Sequence, residues 1–202
     1  MPFKFIVEHM EEGLTEWVTL EYGNMIRQVG VGNLILCNLT KGTLAMVPDN
    51  IRAGAVCTEM TSMEYVKSVG GEPLRDVLLL DPSAEKEIQP SDASFGFLLF
   101  GGILGDDPPR DRTKELRKLG FEGRHLDKYQ MTTDTAVLVS KRVVEGTPLS
   151  KLTFVDKPDL LLRKGESVEM PFRYLVEDGK ILIPDGFLDL LRKTNDQALD
   201  FE

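Results

Sequence analysis

The sequence predicts an α/β fold in which a mostly parallel sheet is flanked by helices. Short, continuously apolar segments recur along residues 1–146, as is typical of strands that are buried on both faces. Segments with helix caps and closing glycines separate these strands. A length of 202 residues suits one sizeable domain with or without a small appendage.

Four elements are predicted in the first 70 residues. Thr15 is the expected N-cap of the first helix, and Thr61 with Glu64 forms a capping box for the second. Residues 40–60 are too weakly patterned to predict an element. The expected order is strand, helix, strand, helix, over Lys4–His9, Glu16–Val29, Asn33–Cys37 and residues 62–69.

Five elements are predicted between residues 76 and 145. They are a strand over Asp76–Leu80, a strand over Phe95–Phe100, a helix over Thr113–Leu119, a short strand over Gly123–Leu126 and a helix over Thr133–Glu145. The pattern changes after Thr147, where strand-like segments cover Leu152–Val155, Glu169–Val176 and Lys180–Pro184, with a helix over Asp185–Lys193 and a fraying tail. We interpret residues 147–202 as an extension that packs on a main domain of residues 1–146.

Composition and charge limit the kinds of molecule that this protein is expected to bind. Hydrophobic residues make up 42% and charged residues 28%, which is typical of a soluble globular protein. Apolar runs are too short to span a bilayer and no export signal is visible, so we expect a cytoplasmic protein. The net charge of −9 works against nucleic acid as the main partner and favours a basic protein. Cys37 and Cys57 lack metal-ligand spacing, so free thiols and no metal are expected.

The carboxyl ends of parallel strands meet at one edge of a sheet, where α/β proteins bind ligands. Four loops are predicted to lie there, namely Glu8–Gly13, Asp81–Pro82, Gly101–Arg112 and Leu126–Thr135. The glycines of the third loop, Gly101, Gly102 and Gly105, match neither a P-loop nor a dinucleotide fingerprint. A close-packed turn and a close approach to a ligand therefore both stay open for this loop.

The first and last of these loops also allow two interpretations. Glu8, Glu11 and Glu12 form either a solvated acidic turn or a negative pocket for a guanidinium group. Thr132 or Thr133 is a helix cap, and the amides at such a helix start are also good partners for a polar cofactor. An arginine side chain stays protonated at neutral pH, so carboxylates would orient it and accept its proton as a new bond forms.

Four segments together resemble the SPOUT methyltransferases, and most closely the fungal branch that methylates an arginine of a small-subunit ribosomal protein. These segments are Glu8–Gly13, Phe100–Leu116, Gln130–Ala136 and Glu169–Tyr174. The resemblance spans Phe5 to Leu191, and it is poor over residues 40–72. It implies a deep trefoil knot, S-adenosylmethionine bound in the knotted loops, and a monomer.

The resemblance also implies roles for individual residues. It places Glu8, Glu11, Glu12 and Asp106 in an acidic mouth for the substrate arginine, and Arg110 against the cofactor's carboxylate. The cofactor-binding residues that it implies are Pro82, Gly101, Gly102, Ile103, Gly105, Leu126, Gln130, Met131, Thr132 and Thr133. In that arrangement, Gly101, Gly102 and Gly105 would allow both the cofactor and another piece of the chain to come close to their backbone.

Three functional hypotheses follow. The first is S-adenosylmethionine-dependent methylation of an arginine in a ribosomal protein. The second is RNA methylation, supported by a basic cluster that is equally explained as a solvated helix face: Arg110, Arg112, Lys114, Arg117 and Lys118. The third is a non-catalytic ribosome-assembly factor that uses the same fold as a binding platform.

Overall fold

The computed structural model describes residues 3–102, 111 and 113–199. A six-stranded sheet, parallel throughout, forms its centre in the order β3-β2-β1-β5-β4-β6. Its strands are β1 Lys4–His9, β2 Leu34–Cys37, β3 Ala55–Cys57, β4 Val77–Leu80, β5 Phe97–Gly102 and β6 Glu122–Arg124. The predicted fold class, a mostly parallel sheet flanked by helices, is confirmed.

Helices cover both faces of this sheet because its central strands are apolar on both sides. On β1, Phe5 and Val7 face one buried cluster and Ile6 faces the other. The helices are α1 Glu16–Val29, α2 Lys41–Met46, α3 Asp49–Gly54, α4 Ser62–Ser68, α5 Pro73–Asp76, α6 Thr113–Arg117, α7 Thr133–Val144 and α8 Phe187–Leu199. α1 and α7 pack on the first face, whereas α4 and α6 pack on the second.

Local capping signals predicted the helix starts well. The Thr15 hydroxyl accepts a hydrogen bond from the Val18 amide at 3.2 Å. Thr61 and Glu64 form the predicted capping box. Several strand boundaries differ. Asp76 ends α5 instead of starting β4, β5 begins at Phe97 and continues through Gly102, and β6 ends at Arg124. Residues 40–60 contain α2, α3 and β3, which are too short to leave a clear periodicity in the sequence.

The region after α7 is built from antiparallel strands. β7 Thr153–Asp156, β10 Arg173–Glu177 and β11 Lys180–Ile181 form a three-stranded sheet, and β8 Asp159–Arg163 pairs with β9 Glu166–Glu169. The single predicted strand over Glu169–Val176 is wrong, because Pro171 lies between β9 and β10 and lacks the amide hydrogen that a continuous strand needs. The expected fraying tail is also wrong, because α8 continues to Leu199.

This region packs against α1. The rings of Trp17 and Phe187 meet edge to face with centroids 4.5 Å apart. Trp17 and Leu20 contact a buried cluster that contains Phe172 and Tyr174. The boundary at residue 146 stays a prediction.

Cys37 and Cys57 are free thiols, as predicted. Within the described part of the chain, no helix is both long and apolar enough to span a membrane.

Candidate active site

A cavity of about 400 Å³ opens at the carboxyl ends of β4, β5 and β6. This volume lies within the range of small-molecule sites. The residues that line it are Leu80, Asp81, Pro82, Ser83, Phe100, Gly101, Asp111, Thr113, Leu126, Asp127, Lys128, Tyr129, Gln130, Met131, Thr133 and Ala136. An apolar wall with a few convergent polar groups is typical of a cofactor site.

One wall of the cavity is organised by the buried carboxylate of Asp81, directly after β4. Arg117 on α6 donates to both of its oxygens, from Nε at 2.5 Å and from Nη2 at 2.7 Å. The Thr113 hydroxyl and the Ser83 amide donate to Oδ1 at 3.2 and 2.9 Å. Burial by itself raises the pKa of Asp81, but the bonds from Arg117 and Ser83 outweigh it and hold this pKa below its usual value. Asp81 therefore stays ionised and ties α6 to the end of β4.

Another wall is the loop that follows β6. Its backbone enters the left-handed region at Asp127, where φ is +80°. The Asp127 carboxylate accepts from the Lys128 amide at 2.7 Å and from Nη1 of Arg173 at 2.8 Å. The Arg173 guanidinium also lies 3.8 Å from the centroid of the Tyr129 ring. A residue of β10 thus contacts two residues that line the cavity.

Behind the cavity, a pair of buried carboxyl groups meets the start of α7. Glu21 on α1 accepts from the Trp17 indole at 2.5 Å and from the Asp134 amide at 3.3 Å, so it caps α7 from another helix. The Asp134 carboxylate accepts from Asn24 and from the Thr132 hydroxyl, both at 2.6 Å. Burial, and then the charge of Asp134, raises the pKa of Glu21 well above its usual value, and burial raises the pKa of Asp134.

Gly102, at the end of β5, packs against β1. A Cβ added there would lie 2.7 Å from the Glu8 carbonyl oxygen and 3.0 Å from Cγ1 of Val7. Real Cβ atoms essentially never come so close to a backbone atom. A glycine is needed at this position because the chain approaches another piece of chain.

Comparison with known proteins gives the family. Residues 4–198 match the family described as "Protein arginine N-methyltransferase SFM1-like". The chain belongs to this family. It is 41% identical over 208 residues to protein arginine N-methyltransferase SFM1 of Saccharomyces cerevisiae, covering 98% of both chains.

Two solved structures of the yeast family member resemble this chain closely. The yeast arginine methyltransferase SFM1 complexed with SAM has 40% sequence identity and a TM-score of 0.88, over 96% of this chain and 92% of that chain. The SFM1 complex with SAH has 42% identity and a TM-score of 0.85, over 93% and 94% of the two chains. The predicted resemblance to a SPOUT arginine methyltransferase is confirmed at the level of the family.

The structure brings together many residues that the resemblance assigned to the cofactor. Pro82, Gly101, Leu126, Gln130, Met131 and Thr133 line the cavity. Of the described residues, Gly102 and Thr132 do not line it: Gly102 packs on β1, and the Thr132 hydroxyl donates to Asp134. Ile103 and Gly105 lie outside the described residues. The predicted contacts of all ten residues with the cofactor stay predictions.

The predicted acidic mouth is only partly described. Asp106 and Arg110 lie outside the described residues. Glu8 is buried on the face of β1 that packs against α4. There its Oε2 accepts a hydrogen bond from the Ser62 amide, at the start of α4, at 2.8 Å. Burial raises the pKa of Glu8 despite this bond. Glu11 is half-buried and Glu12 exposed, and among the described residues neither they nor Glu8 line the cavity.

The loop that contains Glu11 and Glu12 is shaped by His9. Its Nε2 donates to the Gly13 carbonyl at 3.0 Å, which leaves Nδ1 to accept from the Tyr22 hydroxyl at 2.7 Å. Burial lowers the pKa of His9, so the ring is neutral. His9 therefore has a structural role at the end of β1.

Sequence reasoning missed three acidic groups at this site. Asp111 and Asp127 line the cavity, and Asp134 lies directly behind it. Each belongs to a loop or helix start that the sequence predicted at this edge of the sheet. The predicted cofactor roles fell on neighbouring glycines and threonines, and these aspartates received none. Two members of the basic cluster pair with acidic side chains of the same chain. Arg117 binds Asp81 and Asp111, and Lys118 binds Glu115 at 2.6 Å. This pairing weakens the support for RNA as substrate.

Proposed function

We propose that this protein is an S-adenosylmethionine-dependent methyltransferase that modifies an arginine side chain of another protein. The supporting observation is the cavity at the carboxyl ends of β4, β5 and β6, in a chain that resembles SAM-bound SFM1 over 96% of its length. A volume of about 400 Å³ suits a nucleoside with a short amino-acid chain.

The groups that line the cavity fit this cofactor. Leu80, Phe100 and Leu126 offer apolar surface to an adenosine ring. Asp81, Asp111 and Asp127 also place carboxylates at this cavity, where Arg117 and Arg173 pair with them and compensate part of their charge. We propose that the cofactor contacts the full set expected from the resemblance, which is Pro82, Gly101, Gly102, Ile103, Gly105, Leu126, Gln130, Met131, Thr132 and Thr133.

The bound cofactor supplies an activated methyl group, and the chain's own residues position the acceptor. A guanidinium with a pKa above about 12 is protonated at neutral pH, so one proton must leave as the new carbon–nitrogen bond forms. We propose that Glu8, Glu11, Glu12 and Asp106 orient the guanidinium and spread its charge, and that one of these carboxylates accepts the departing proton. The methyl–sulfur bond breaks as the carbon–nitrogen bond forms, so S-adenosylhomocysteine is the leaving group, and Arg110 binds the cofactor's carboxylate. Positioning and carboxylate electrostatics, without a metal, then account for the rate enhancement.

A basic protein is the proposed substrate, and within this class a small-subunit ribosomal protein. The net charge of −9 attracts a cationic partner. Incubation of the enzyme with methyl-labelled cofactor and unmethylated small subunits tests this proposal. Label is expected on an arginine of one protein, and label on the ribosomal RNA would overturn it.

Glu8 needs its own test because its carboxylate is bound to α4. Glu8→Gln and Glu11→Gln are each expected to keep cofactor affinity within about twofold and to slow transfer, since a neutral amide spreads positive charge poorly. Glu16→Gln gives the matched comparison, because it neutralises an exposed carboxylate at the start of α1 that pairs with Lys193 and has no proposed role in transfer. Unchanged turnover in Glu8→Gln would limit Glu8 to capping α4.

The remaining features also come from the resemblance. We propose that the chain forms a trefoil knot around the cofactor loops, that residues 147–202 form an extension of the domain 1–146, and that the protein acts as a cytoplasmic monomer. Free thiols at Cys37 and Cys57 support a reducing compartment. A cofactor-bound crystal structure tests the knot, and light scattering of the purified protein tests the monomer.

A further inference from the structure

We propose that Arg173 is a positioning residue that holds the cavity loop of residues 127–131 in its binding conformation. The inference rests on the proposed function, because it concerns the same cavity. Arg173 lies on β10, in the region after α7, and it is not among the described residues that line the cavity. It therefore acts on the cofactor site through the loop.

The guanidinium of Arg173 is held between two carboxylates. Nη1 donates to Oδ2 of Asp127 at 2.8 Å. Nε and Nη2 donate to the two oxygens of Asp156 on β7, at 2.5 and 3.0 Å. The Arg173 side chain is only 12% exposed, whereas the Asp127 and Asp156 side chains are 44% and 45% exposed, so water screens these ion pairs in part. Asp156 fixes the arginine on the antiparallel sheet, and the arginine fixes Asp127.

Two aromatic rings also contact the Arg173 guanidinium. The guanidinium carbon lies 3.8 Å from the centroid of the Tyr129 ring and 5.0 Å from that of Phe154. Both distances are within the range of cation–π contacts. The Arg173 amide also donates to the Gln130 carbonyl at 2.8 Å, and Met131 pairs with Arg173 as a short parallel bridge. Arg173 thus contacts the loop through both side chain and backbone.

The loop needs such a clamp because its backbone is strained. Asp127 has a φ of +80°, a left-handed conformation that non-glycine residues seldom adopt. Tyr129 is 44% exposed, so nearly half of its surface is open to solvent. A strained and exposed loop keeps one conformation only when its surroundings determine it.

Loss of the clamp is expected to weaken cofactor binding. If only a fraction of molecules keeps the binding conformation, the apparent dissociation constant rises by the inverse of that fraction. We expect about a tenfold rise for Arg173→Met and a smaller rise for Arg173→Lys, which keeps the charge but loses the planar fork. Turnover at saturating cofactor is expected to stay within about twofold, because the cofactor then restores the loop.

Calorimetry with S-adenosylhomocysteine on the full chain tests this inference. Arg163→Met is the matched control, because Arg163 makes a similar two-bond pair with Asp196 in the same region and, within the described part of the chain, forms no hydrogen bond or ion pair with a residue that lines the cavity. The control is expected to bind as the wild type does. Binding of Arg173→Met within twofold of the wild type would overturn the proposal.

Hydrogen exchange of the cofactor-free proteins gives a second measurement. Amides of residues 127–131 are expected to exchange faster in Arg173→Met than in Arg163→Met, and equal protection contradicts the clamp. If the wild type fails to bind S-adenosylhomocysteine, the proposed function fails, whereas the exchange comparison still decides the role of Arg173. The two failures are therefore distinguishable.

A double-mutant cycle separates positioning from direct contact. Asp127→Asn alone is expected to raise the dissociation constant, and to add little in the Arg173→Met background because both changes release the same loop. Additive effects would mean that Asp127 binds the ligand independently of Arg173, which contradicts the inference. If Arg173→Met does not fold, the same cycle is measured with Arg173→Lys.

Discussion

Replacement of Gly102 by alanine tests why β5 ends in glycine. The new Cβ would lie 2.7 Å from the Glu8 carbonyl oxygen and 3.3 Å from Cα of His9, both backbone atoms of the neighbouring strand. Contacts of this kind below 3.0 Å are essentially not observed, so β1 and β5 must separate by about 0.3 Å or more. Overpacking of a well-packed core costs about 1–3 kcal/mol.

A cost of about 2 kcal/mol corresponds to a fall in the unfolding temperature of about 4–8 °C for a chain of this length. Thermal unfolding followed by circular dichroism measures it. Gly96→Ala, just before β5, is the matched control, because its added Cβ would meet no atom closer than the Asp76 carbonyl oxygen at 3.8 Å. Equal unfolding temperatures for the two variants would refute the argument that close approach to β1 requires glycine at position 102.

Two further predictions concern buried carboxyl groups. Because burial raises the pKa of Glu21, its contribution to stability is complete below about pH 4.5 and is lost as the pH rises through its folded-state pKa. Glu21→Gln should therefore remove part of the fall in unfolding temperature between pH 4.5 and neutral pH. Glu12→Gln, at an exposed position, should keep the wild-type dependence of unfolding temperature on pH. If Glu21→Gln also keeps the wild-type dependence, the argument is contradicted. Asp81→Asn should lower the free energy of unfolding in urea by about 2 kcal/mol, because it breaks a charge-assisted pair with Arg117. Asp111→Asn, which removes a more exposed partner of the same arginine, should cost less than about 1 kcal/mol, and an equal cost would contradict the role of burial.

Local signals in the sequence predicted much of the fold. Thr15 and the Thr61–Glu64 pair marked two helix starts, because a cap and the amide that it accepts from lie within three residues of each other. Continuous apolar runs such as Leu34–Cys37 indicated strands buried on both faces. Those strands in turn predicted a ligand site at the carboxyl edge of the sheet, where the structure has a cavity. Short elements such as α2 and β3 gave no such signal, because a repeat of hydrophobic residues becomes visible only over several helical turns or several strand residues.

The sequence by itself determined the family, the order of most elements and the loops that meet at the cavity. Only the tertiary structure decided what those loops touch. Glu21 and Asp134 are 113 positions apart and meet at the start of α7, and Asp127 and Arg173 are 46 apart and meet at the cavity wall. The reason is physical: a cap or an apolar period is set by neighbours in the chain, whereas a contact between distant residues depends on the register and packing of all the elements between them.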